Sequence, residues 1–380
     1  MKNLLSKKDV EIIQTNKQVR IELARKSFLW FCAIYLNNHF THPFAKFHEE
    51  IMSMIEDEDL KLSVVTAFRG SGKTTLVGLA YPIWSIIGKQ NKKLVLILCQ
   101  TQFQARQALR NIKFELESND LLKNDIGPFE EESDEWSNTS LILTKFGAKI
   151  TIASVDQSVR GLKHSNSRPG LVICDDVEDL NSVRTFEARE KTYEWLTSTI
   201  MPIGDEKTKY FVIGNLLHED CLIKRLEKHI DKGENFGKYR SYPIIDDEKK
   251  ILWVERYPDL ESIEKIKRMI PSDLSWNQEF LLKTISRNSQ IIEMSWLNYY
   301  DELPSKIRKI FVSVDPAFSE KKSAAKTAIT IGFISGYGQD SKLFIHKVVF
   351  NKRCKEPDLI KEIEEIHSSL SVIAPVEILV

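Results

Sequence analysis

The segment AFRGSGKTT at residues 67–75 combines glycines with a lysine and two threonines. Gly70 and Gly72 allow a tight turn whose backbone N–H groups can point at phosphate oxygens. Lys73 would reach the β- and γ-phosphates of a nucleotide, and the Thr74 hydroxyl would ligate Mg²⁺. Ala67 stands where the usual pattern has its first glycine, so the alternative is an ordinary strand–helix turn with a surface lysine. The candidate nucleotide-binding residues of this segment are Gly70, Ser71, Gly72, Lys73, Thr74 and Thr75.

A second candidate is a pair of carboxylates, Asp175 and Asp176, that follows the apolar run LVIC. Asp175 at a strand end would hold Mg²⁺ through water, and Asp176 or Glu178 would orient or deprotonate an attacking water. Two carboxylates at the end of a buried strand are costly unless they are paired or bound to metal. The alternative is an Asp-Asp turn that caps the strand end. The candidate phosphate-binding loop at residues 67–75 makes this alternative weaker.

Hydrolysis of a phosphoanhydride also needs a cation near the γ-phosphate. Arg69 lies inside the loop, Arg160 lies in the sequence VRG, and Arg168 precedes the acidic strand. Each of the three would stabilise developing negative charge. For each, a structural salt bridge is an equal alternative.

The elements that must position these residues alternate from residue 62 onward. Continuous apolar runs indicate strands buried on both faces, and helical stretches lie between some of them. This alternation predicts an α/β fold with a mainly parallel sheet. The predicted strands are residues 62–67, 93–99, 141–143, 149–153, 171–174 and 210–213, and the predicted helices are residues 74–87, 101–118 and 185–200.

The rest of the chain differs in pattern. Residues 9–36 show helical periodicity without Gly or Pro, and a short helix is expected to restart near Ala45. Residues 215–305 carry few strand signals and are interpreted as helical and irregular connections. Strands are then predicted at 310–314, 328–333, 342–348 and 376–380, with an amphipathic helix at 357–370 before the last of them. This order is that of the opening of a ribonuclease H-like fold.

Four domains follow from these changes of pattern. We predict an N-terminal helical segment at residues 1–55, a P-loop ATPase domain at 56–240, and a linker or lid subdomain at 241–305. The N-terminal part of a ribonuclease H-like domain is predicted at 306–380. The 380 residues agree with about two to three domains of ordinary size.

Composition narrows the class of protein. Lys+Arg and Asp+Glu both number 54, so a simple polycation that coats nucleic acid is excluded. Nine acids and one base occupy residues 115–135, whereas eleven bases and three acids occupy 306–355. These are either solvated faces or two opposed patches, and we hypothesise that the acidic one meets a basic surface of a neighbouring subunit or of the C-terminal domain. Five scattered cysteines, no long apolar run and no signal peptide predict a soluble, intracellular protein.

Taken in order, the motifs resemble the large subunit of tailed-phage terminases. They are RGxGKT at 69–74, VRG at 159–161, Asp175-Asp176 after an apolar strand, IGN at 213–215 with HED at 218–220, and VSVDPA at 312–317. The resemblance covers the chain from about residue 40 and implies an ATP-driven motor that threads double-stranded viral DNA into a preformed capsid. It also implies a metal-dependent endonuclease that cuts concatemeric DNA.

The resemblance also implies roles for single residues. Arg69 matches an arginine that acts in cis, and Arg160 would reach a neighbour's ATP in a ring. Gly214 and Asn215 match a coupling motif that usually ends in Thr. The acidic pair is often Asp-Glu in the family, so the shorter side chain here leaves Asp176 and Glu178 as rivals, and we favour Asp176. The adenine contacts would come from Phe44, Phe47 and His48, with plain core packing an equal alternative.

The nuclease part is expected to be incomplete. Asp315 ends an apolar strand and would be the first of several carboxylates sharing Mg²⁺ or Mn²⁺. Glu377 is the acid on the last predicted strand but sits near its start, so we expect the second carboxylate to follow Val380 and the third to lie outside the chain. We therefore expect this chain to lack efficient endonuclease activity. The basic stretch 306–355 would hold the phosphate backbone without reading sequence.

The implied partners are ATP, Mg²⁺, viral DNA, the portal protein of the procapsid, the small terminase subunit and further copies of the chain in a ring. The expected location is the host cytoplasm, with docking on the procapsid and no membrane. Two rival functions stay open. One is a DNA helicase or related remodelling ATPase, which shares the P-loop and acidic strand but does not explain the strand ending in Asp315. The other is an assembly protein that binds ATP as a switch without turnover.

Overall fold

The computed structural model describes residues 6–129, 135–233, 237–284, 298–317, 326–352 and 355–380. The chain divides into two compact units, Met1–Arg287 and Asn288–Val380. The four finer boundaries given above remain predictions. Both units are mixed α/β, and the larger one contains the mainly parallel sheet that the sequence predicted.

The sheet of the first unit has the order β3-β4-β2-β5-β6-β1-β7. Strands β3 and β4 pair antiparallel, and the other neighbours pair in parallel. The bounds are β1 Leu62–Ala67, β2 Leu94–Cys99, β3 Ser140–Leu143, β4 Ala148–Ser154, β5 Leu171–Asp175, β6 Lys209–Gly214 and β7 Gly237–Tyr242. The first six confirm the predicted strands within about two residues, because buried parallel strands carry continuous apolar runs.

Strand β7 was missed. Its sequence GKYRSY is polar and mostly exposed, as an edge strand allows. It pairs with β1 on the side away from β6. The interpretation of residues 215–305 as helical and irregular was therefore incomplete.

Helices cover both faces of this sheet, and alternate residues of each central strand enter two separate cores. Val65 and Ile97 pack with the N-terminal helices, whereas Val64 and Leu96 pack on the other face. The helices are α1 Lys7–Thr15, α2 Lys17–Lys26, α3 Phe28–Tyr35, α4 Lys46–Glu56, α5 Tyr81–Ile87, α6 Gln102–Ser118, α7 Asp120–Ile126, α8 Phe186–Glu194, α9 Leu222–Asp231, α10 Leu260–Arg268 and α11 Asp273–Glu279.

Three predicted helices are interrupted, one of them at residues 185–200, where the π-helical turn Trp195–Ile200 follows α8. The N-terminal periodic stretch breaks at Asn16, whose side chain accepts a hydrogen bond from the N–H of Val19 and so begins a new helix. The helix after the phosphate-binding loop contains a wide π-helical turn, Thr75–Ala80, before α5. Pro82 follows this turn and has no N–H to donate to the carbonyl of Gly78.

The second unit holds a sheet of order β10-β9-β8-β11. Strands β8 Lys309–Asp315, β9 Thr327–Ser335 and β10 Lys342–Lys352 form an antiparallel meander, and β11 Val376–Leu379 pairs in parallel with β8 after helix α12 Glu356–Leu370. The predicted succession of three strands, a helix and a fourth strand is confirmed. Val312, Val314, Ile329 and Leu359 form part of its core.

Candidate functional site

Three strand ends meet at one edge of the large sheet. The phosphate-binding loop follows β1, Asp175 ends β5, and Asn215 follows β6, which lies between them. The pairings of Asp175 with Ile213 and of Thr66 with Gly214 place these ends at the same height. Parallel strands thus bring the two predicted motifs together, as phosphate sites in open α/β sheets require.

The loop has the geometry of an anion cradle. Gly70 and Gly72 take positive φ values of +82° and +84°, which a residue with a Cβ rarely adopts. The helix begins at Lys73, so its first N–H groups lack acceptors within the helix and add partial positive charge. The Ser71 hydroxyl is buried without a hydrogen-bond partner. An orphaned hydroxyl and free N–H groups fit a bound phosphate.

Lys73 lies under this loop rather than in solvent, with 8% of its surface exposed. Its ammonium donates to the carbonyl of Ala67 at 3.2 Å and to Oδ1 of Asn215 at 3.1 Å. Its charge is therefore held by neutral acceptors rather than by a carboxylate. A buried cation held in this way keeps its attraction for a phosphate.

Asn215 belongs to a longer polar chain. Its Nδ2 donates to Oε2 of Glu279 at 3.0 Å, and Nε of Arg69 lies 3.5 Å from the same oxygen. The backbone N–H of Arg69 also donates to the carbonyl of Glu279 at 2.8 Å. Helix α11 is thereby joined to both the phosphate-binding loop and the end of β6.

Asp175 is a buried carboxylate whose Oδ1 has no hydrogen-bond partner. Burial, with the charge of Asp176 as a second cause, raises its pKa to about 7, while Lys73 acts in the opposite direction. A Cβ built on Gly78 would lie 3.1 Å from Oδ2 of Asp175, so that glycine makes room for the carboxylate. A buried carboxylate oxygen without a partner, beside Thr74, fits an Mg²⁺ site.

Asp176 has an unusual backbone, with φ at +47°. Its N–H donates to the carbonyl of Ile213 at 3.0 Å, which fixes the turn at the strand end. The side chain is half-buried and lines a cavity of about 250 Å³ together with Glu178, Asn215 and Glu279. Strained backbone at a strand end is common where a catalytic group is aimed into a cavity.

Glu178 lines the same cavity but has a structural partner. Its Oε1 accepts from the N–H of Leu222 at 2.9 Å, at the start of α9, where Cys221 offers no side-chain cap. Burial raises the pKa of Glu178 to about 7. The carboxyl group therefore caps a helix, a role that Asp176 does not share.

A cavity of about 340 Å³ opens over the phosphate-binding loop. Phe44, His48 and Trp253 line it together with residues of the loop. Trp253 donates from Nε1 to the carbonyl of Pro43 at 2.9 Å and packs edge-on against His48, with ring centroids 4.6 Å apart. An aromatic wall beside a phosphate cradle suits a purine base.

The three predicted adenine contacts are placed differently. Phe44 and His48 line the cavity, whereas Phe47 is buried behind it against Phe68 and Tyr242. Nδ1 of His48 accepts from the N–H of Ala45 at 2.9 Å, so Nε2 donates to the carbonyl of Ser71 at 2.7 Å. Burial lowers the pKa of His48 to about 4. The neutral ring thus joins α4 to the phosphate-binding loop.

The three candidate arginines also differ. Arg69 faces Glu279 with 70% of its side chain exposed. Arg160 is exposed on a loop next to Gly161, which has φ at +75°. Arg168 donates to the carbonyls of Pro202, Ile203 and Gly204 at 3.3 to 3.4 Å, beyond the opposite edge of the sheet.

In the second unit, Asp315 ends β8 and is exposed. Glu377 pairs in register with Phe311 and forms an ion pair with Lys309, so it lies toward the other end of the same strand pair. Within the ranges that the structure describes, no group of three or more His, Cys, Asp or Glu side chains is placed to hold a metal ion.

Sequence reasoning missed Glu279, Trp253 and Arg256. Arg256 donates to the carbonyl of Gly70 and stacks its guanidinium on Trp253, 5.2 Å from the ring centroid. All three come from residues 241–284, where no local motif marks them. Only the folding of α11 and the preceding loop back onto the phosphate-binding loop brings them to the site.

Comparisons with known proteins find similarity in structure and not in sequence. No family model matches the chain, and no curated protein matches it in sequence. Several solved structures of phage large terminases resemble this chain. The HK97 large terminase is 15% identical with a TM-score of 0.46, over 88% of this chain and 70% of that one.

Two other terminase structures are similar. The large terminase of a thermophilic bacteriophage, solved with ATP-γ-S, is 12% identical with a TM-score of 0.43, over 88% of this chain and 77% of that one. The ATPase domain of the Thermus phage P74-26 large terminase is 14% identical with a TM-score of 0.42, over 64% of this chain and 99% of that domain.

Across the described residues, no helix has the length and apolar character needed to cross a membrane.

Proposed function

We propose that this chain is a large terminase subunit that hydrolyses ATP to move double-stranded viral DNA into a procapsid. The observation that carries the proposal is that the loop holding Lys73 and the buried, partnerless oxygen of Asp175 lie at the same edge of the sheet, on strands separated by β6 alone. A phosphate cradle beside a free carboxylate is the arrangement that metal-nucleotide hydrolysis needs. The ordered motifs after it, as far as Asp315, distinguish a terminase from other P-loop enzymes.

Each residue of the site has a role in this proposal. The loop N–H groups and Lys73 bind the phosphates, and Phe44, His48 and Trp253 contact the base. Thr74 and Asp175 would hold Mg²⁺. When bound, the metal neutralises charge on the β- and γ-phosphate oxygens.

Asp176 accepts the proton of the attacking water in this mechanism. It lines the cavity next to the end of β6, and it does not cap a helix as Glu178 does. Asn215 holds Lys73 in place and passes any displacement of it to Glu279 on α11. Coupling between hydrolysis and movement would run through this amide.

Two arginines supply charge to the γ-phosphate. Arg69 acts in cis after leaving Glu279, and Arg160 reaches the ATP of the next copy in a ring. The exposure of Arg160 next to Gly161, whose φ is +75°, supports the second role. The chain would assemble as a homo-oligomer on the portal of the procapsid in the host cytoplasm, with the small terminase subunit as a further partner.

The second unit would be the endonuclease. Asp315 is the proposed ligand of Mg²⁺ or Mn²⁺ there, and basic residues of the stretch 306–355 would hold DNA. The domain limits proposed with this function are those predicted from sequence, with residues 241–305 as a linker or lid subdomain.

Replacement of Lys73 tests the ATPase. Lys73→Ala should lower steady-state ATP turnover by at least about 100-fold, because it removes a charge-assisted phosphate contact. Lys265→Ala, which changes an exposed lysine on α10, is the matched control and should turn over ATP like the wild type. Circular dichroism of both variants checks the fold.

Two outcomes would overturn parts of the proposal. Unchanged turnover in Lys73→Ala would refute the phosphate site. A wild-type protein without turnover, even with DNA and procapsids present, would favour a nucleotide-switched assembly protein. Translocation itself is measured as ATP-dependent protection of DNA from nuclease inside procapsids, and strand separation without capsids would favour a helicase.

A further inference from the structure

A third cavity, of about 650 Å³, lies at the amino edge of the large sheet, opposite the candidate nucleotide site. The loops before β1, β2, β5 and β6 line it. We call it the amino-edge cavity, and its basic residues are Lys61, Lys92, Lys93, Lys163, Arg168 and Lys207. None of them contacts the phosphate-binding loop, and none belongs to the mechanism above.

The topology arranges these cations in a row. The four strands are neighbours in the order β2-β5-β6-β1, and each is preceded by at least one basic residue of the cavity. Neighbouring strands lie about 4.8 Å apart, so four of them spread the charges over about 14 Å. Duplex DNA presents one negative charge per about 1.7 Å of its axis, which gives such a row several phosphates to meet.

Much of this positive charge is not cancelled by carboxylates. The lysines of this row nearest to β1 and β2 donate to carbonyl oxygens, Lys61 to Glu58 at 2.8 Å and Lys93 to Phe146 at 2.8 Å. Arg168 likewise binds three carbonyls. Within the described part of the chain, the side chains of Lys163 and Lys207 form no ion pair. A carbonyl fixes a cation in place but leaves its charge intact.

The acids of the cavity offset only part of this charge. Three acidic residues line it against six basic ones, and Glu58 lies 3.9 Å from Lys92. The carboxylate of Asp205 accepts instead from the N–H of Lys207 and the hydroxyl of Thr208. Burial lowers the pKa of Lys92, Glu58 and Asp205 act to raise it, and the charge of Lys61 lowers it. These lysines repel one another, and an anion in the cavity would relieve that repulsion.

We infer that the amino-edge cavity binds the phosphate backbone of double-stranded DNA. The inference rests on the proposed function for the presence of DNA, and it adds a contact surface that the ATPase chemistry does not require. Flexible lysines without an aromatic side chain among the lining residues favour backbone contact over base recognition. Binding here would be independent of sequence and sensitive to salt.

The acidic stretch of another copy is a poorer occupant. Among the described residues of 115–135, Glu115 pairs with His39, Asp125 with Arg20, and Glu135 with Lys149. Asp125 and Glu135 thus already have a cationic partner inside their own subunit, which makes these two acids poor contacts for the cavity of another copy. Glu130, Glu131, Glu132 and Asp134 lie outside the described residues.

The test compares two double variants of the full chain. Lys163→Gln with Lys207→Gln removes two charges from the cavity, and Lys191→Gln with Lys265→Gln removes two exposed charges elsewhere. Binding of a fluorescent duplex of mixed sequence is measured by anisotropy between about 50 and 200 mM salt. The cavity variant should bind more weakly, and its plot of log K against log salt should be shallower by about 1.8, or 0.9 for each lost phosphate contact. The control should keep the wild-type slope.

ATP turnover without DNA separates this inference from the proposed function. Turnover should stay at the wild-type rate in both double variants, because neither touches the nucleotide site. A cavity variant with wild-type affinity and slope overturns the inference whatever the turnover is. A variant that changes self-association in sedimentation but not DNA binding also overturns it, since the cavity would then hold another copy.

Discussion

The ammonium of Lys73 lies 3.1 Å from the amide oxygen of Asn215, so the lysine proposed to bind phosphate is held by the residue that follows the neighbouring strand β6. An asparagine side chain has an N–H donor as well as an oxygen acceptor, and Nδ2 of Asn215 donates to Glu279. A threonine hydroxyl at this position would have a shorter reach for the same two partners. The amide is therefore well suited to report the position of Lys73 to α11.

Loss of the Asn215 amide should slow ATP turnover more than it weakens ATP binding. Asn215→Ala leaves Lys73 with the carbonyl of Ala67, so the lysine stays charged but is less well placed. We expect a loss in kcat of about 30-fold, which corresponds to about 2 kcal/mol for a hydrogen bond to a charged group. Steady-state turnover against ATP concentration measures it. Asn215→Thr should recover part of kcat, and a change confined to KM would contradict the positioning role.

The ion pair between Arg69 and Glu279 can be tested separately from the amide. Glu279→Gln keeps an acceptor for Asn215 but removes the charge that draws Arg69 away from the nucleotide. Because Arg69 is mostly exposed, the pair contributes less than about 1 kcal/mol to stability. We expect KM for ATP to fall a few-fold with the melting temperature unchanged. Glu279→Ala should instead lower kcat as Asn215→Ala does, and identical behaviour of the two variants would argue against separate roles.

Asp176 and Glu178 should respond differently to loss of charge. Asp176→Asn removes the proposed base and should lower kcat by on the order of 100-fold or more. Glu178→Gln keeps an acceptor for the N–H of Leu222 and should stay close to wild-type turnover. Glu178→Ala should cost about 1 kcal/mol of unfolding free energy through the lost cap. The reverse ranking in kcat would assign the base to Glu178.

Much of the first unit could be predicted because its information is local. The central strands are continuous apolar runs, and RGSGKT places glycines, lysine and threonine within one turn. Parallel pairing then forces strand ends to one edge, which is why the loop and Asp175 could be placed together before any coordinates. The break at Asn16 and the wide turn before Pro82 show where capping and proline chemistry alter a periodic pattern.

The remainder of the site depends on long-range packing. Glu279 and Arg256 have no neighbours in sequence that mark them, yet they contact Arg69 and Gly70 about 200 residues away along the chain. Strand β7 escaped prediction because an edge strand can be polar. From the sequence, Arg168 was one of three candidate cations for the γ-phosphate. The structure places it at the other edge of the sheet, where it donates to three backbone carbonyls.

Gly78 should matter for metal binding more than for folding. Alanine is the better helix former by about 1 kcal/mol, yet its Cβ would lie 3.1 Å from Asp175 and 3.4 Å from the methyl group of Thr74. We expect Gly78→Ala to raise the Mg²⁺ concentration needed for half-maximal turnover while the melting temperature does not fall. A Mg²⁺ titration of turnover measures this. An unchanged Mg²⁺ requirement would show that Asp175 can move without consequence.

His48 should make the stability of the first unit depend on pH. Burial lowers its pKa to about 4, below the ordinary value of 6.5, so the unfolded chain takes up a proton that the folded chain refuses. The free energy of unfolding that depends on the neutral His48 ring is fully present above pH 6.5. It is lost as pH falls toward 4, by up to about 3 kcal/mol. Asp175 and Glu178 have pKa values raised to about 7, so their effect on the free energy of unfolding is opposite: they favour the folded state as pH falls. The useful quantity is therefore the difference between wild type and variant.

His48→Gln supplies that difference, because its amide can still donate to the carbonyl of Ser71 but cannot titrate. Denaturant unfolding followed by tryptophan fluorescence reports mainly on the first unit, since six of the seven tryptophans precede residue 288. Relative to the variant, the wild type should lose stability steadily from pH 6.5 to pH 4. Parallel curves over that interval would mean that the ring is protonated in the folded protein. In that case Nδ1 could not accept from Ala45, and the bond that ties α4 to the phosphate-binding loop would have to be formed differently.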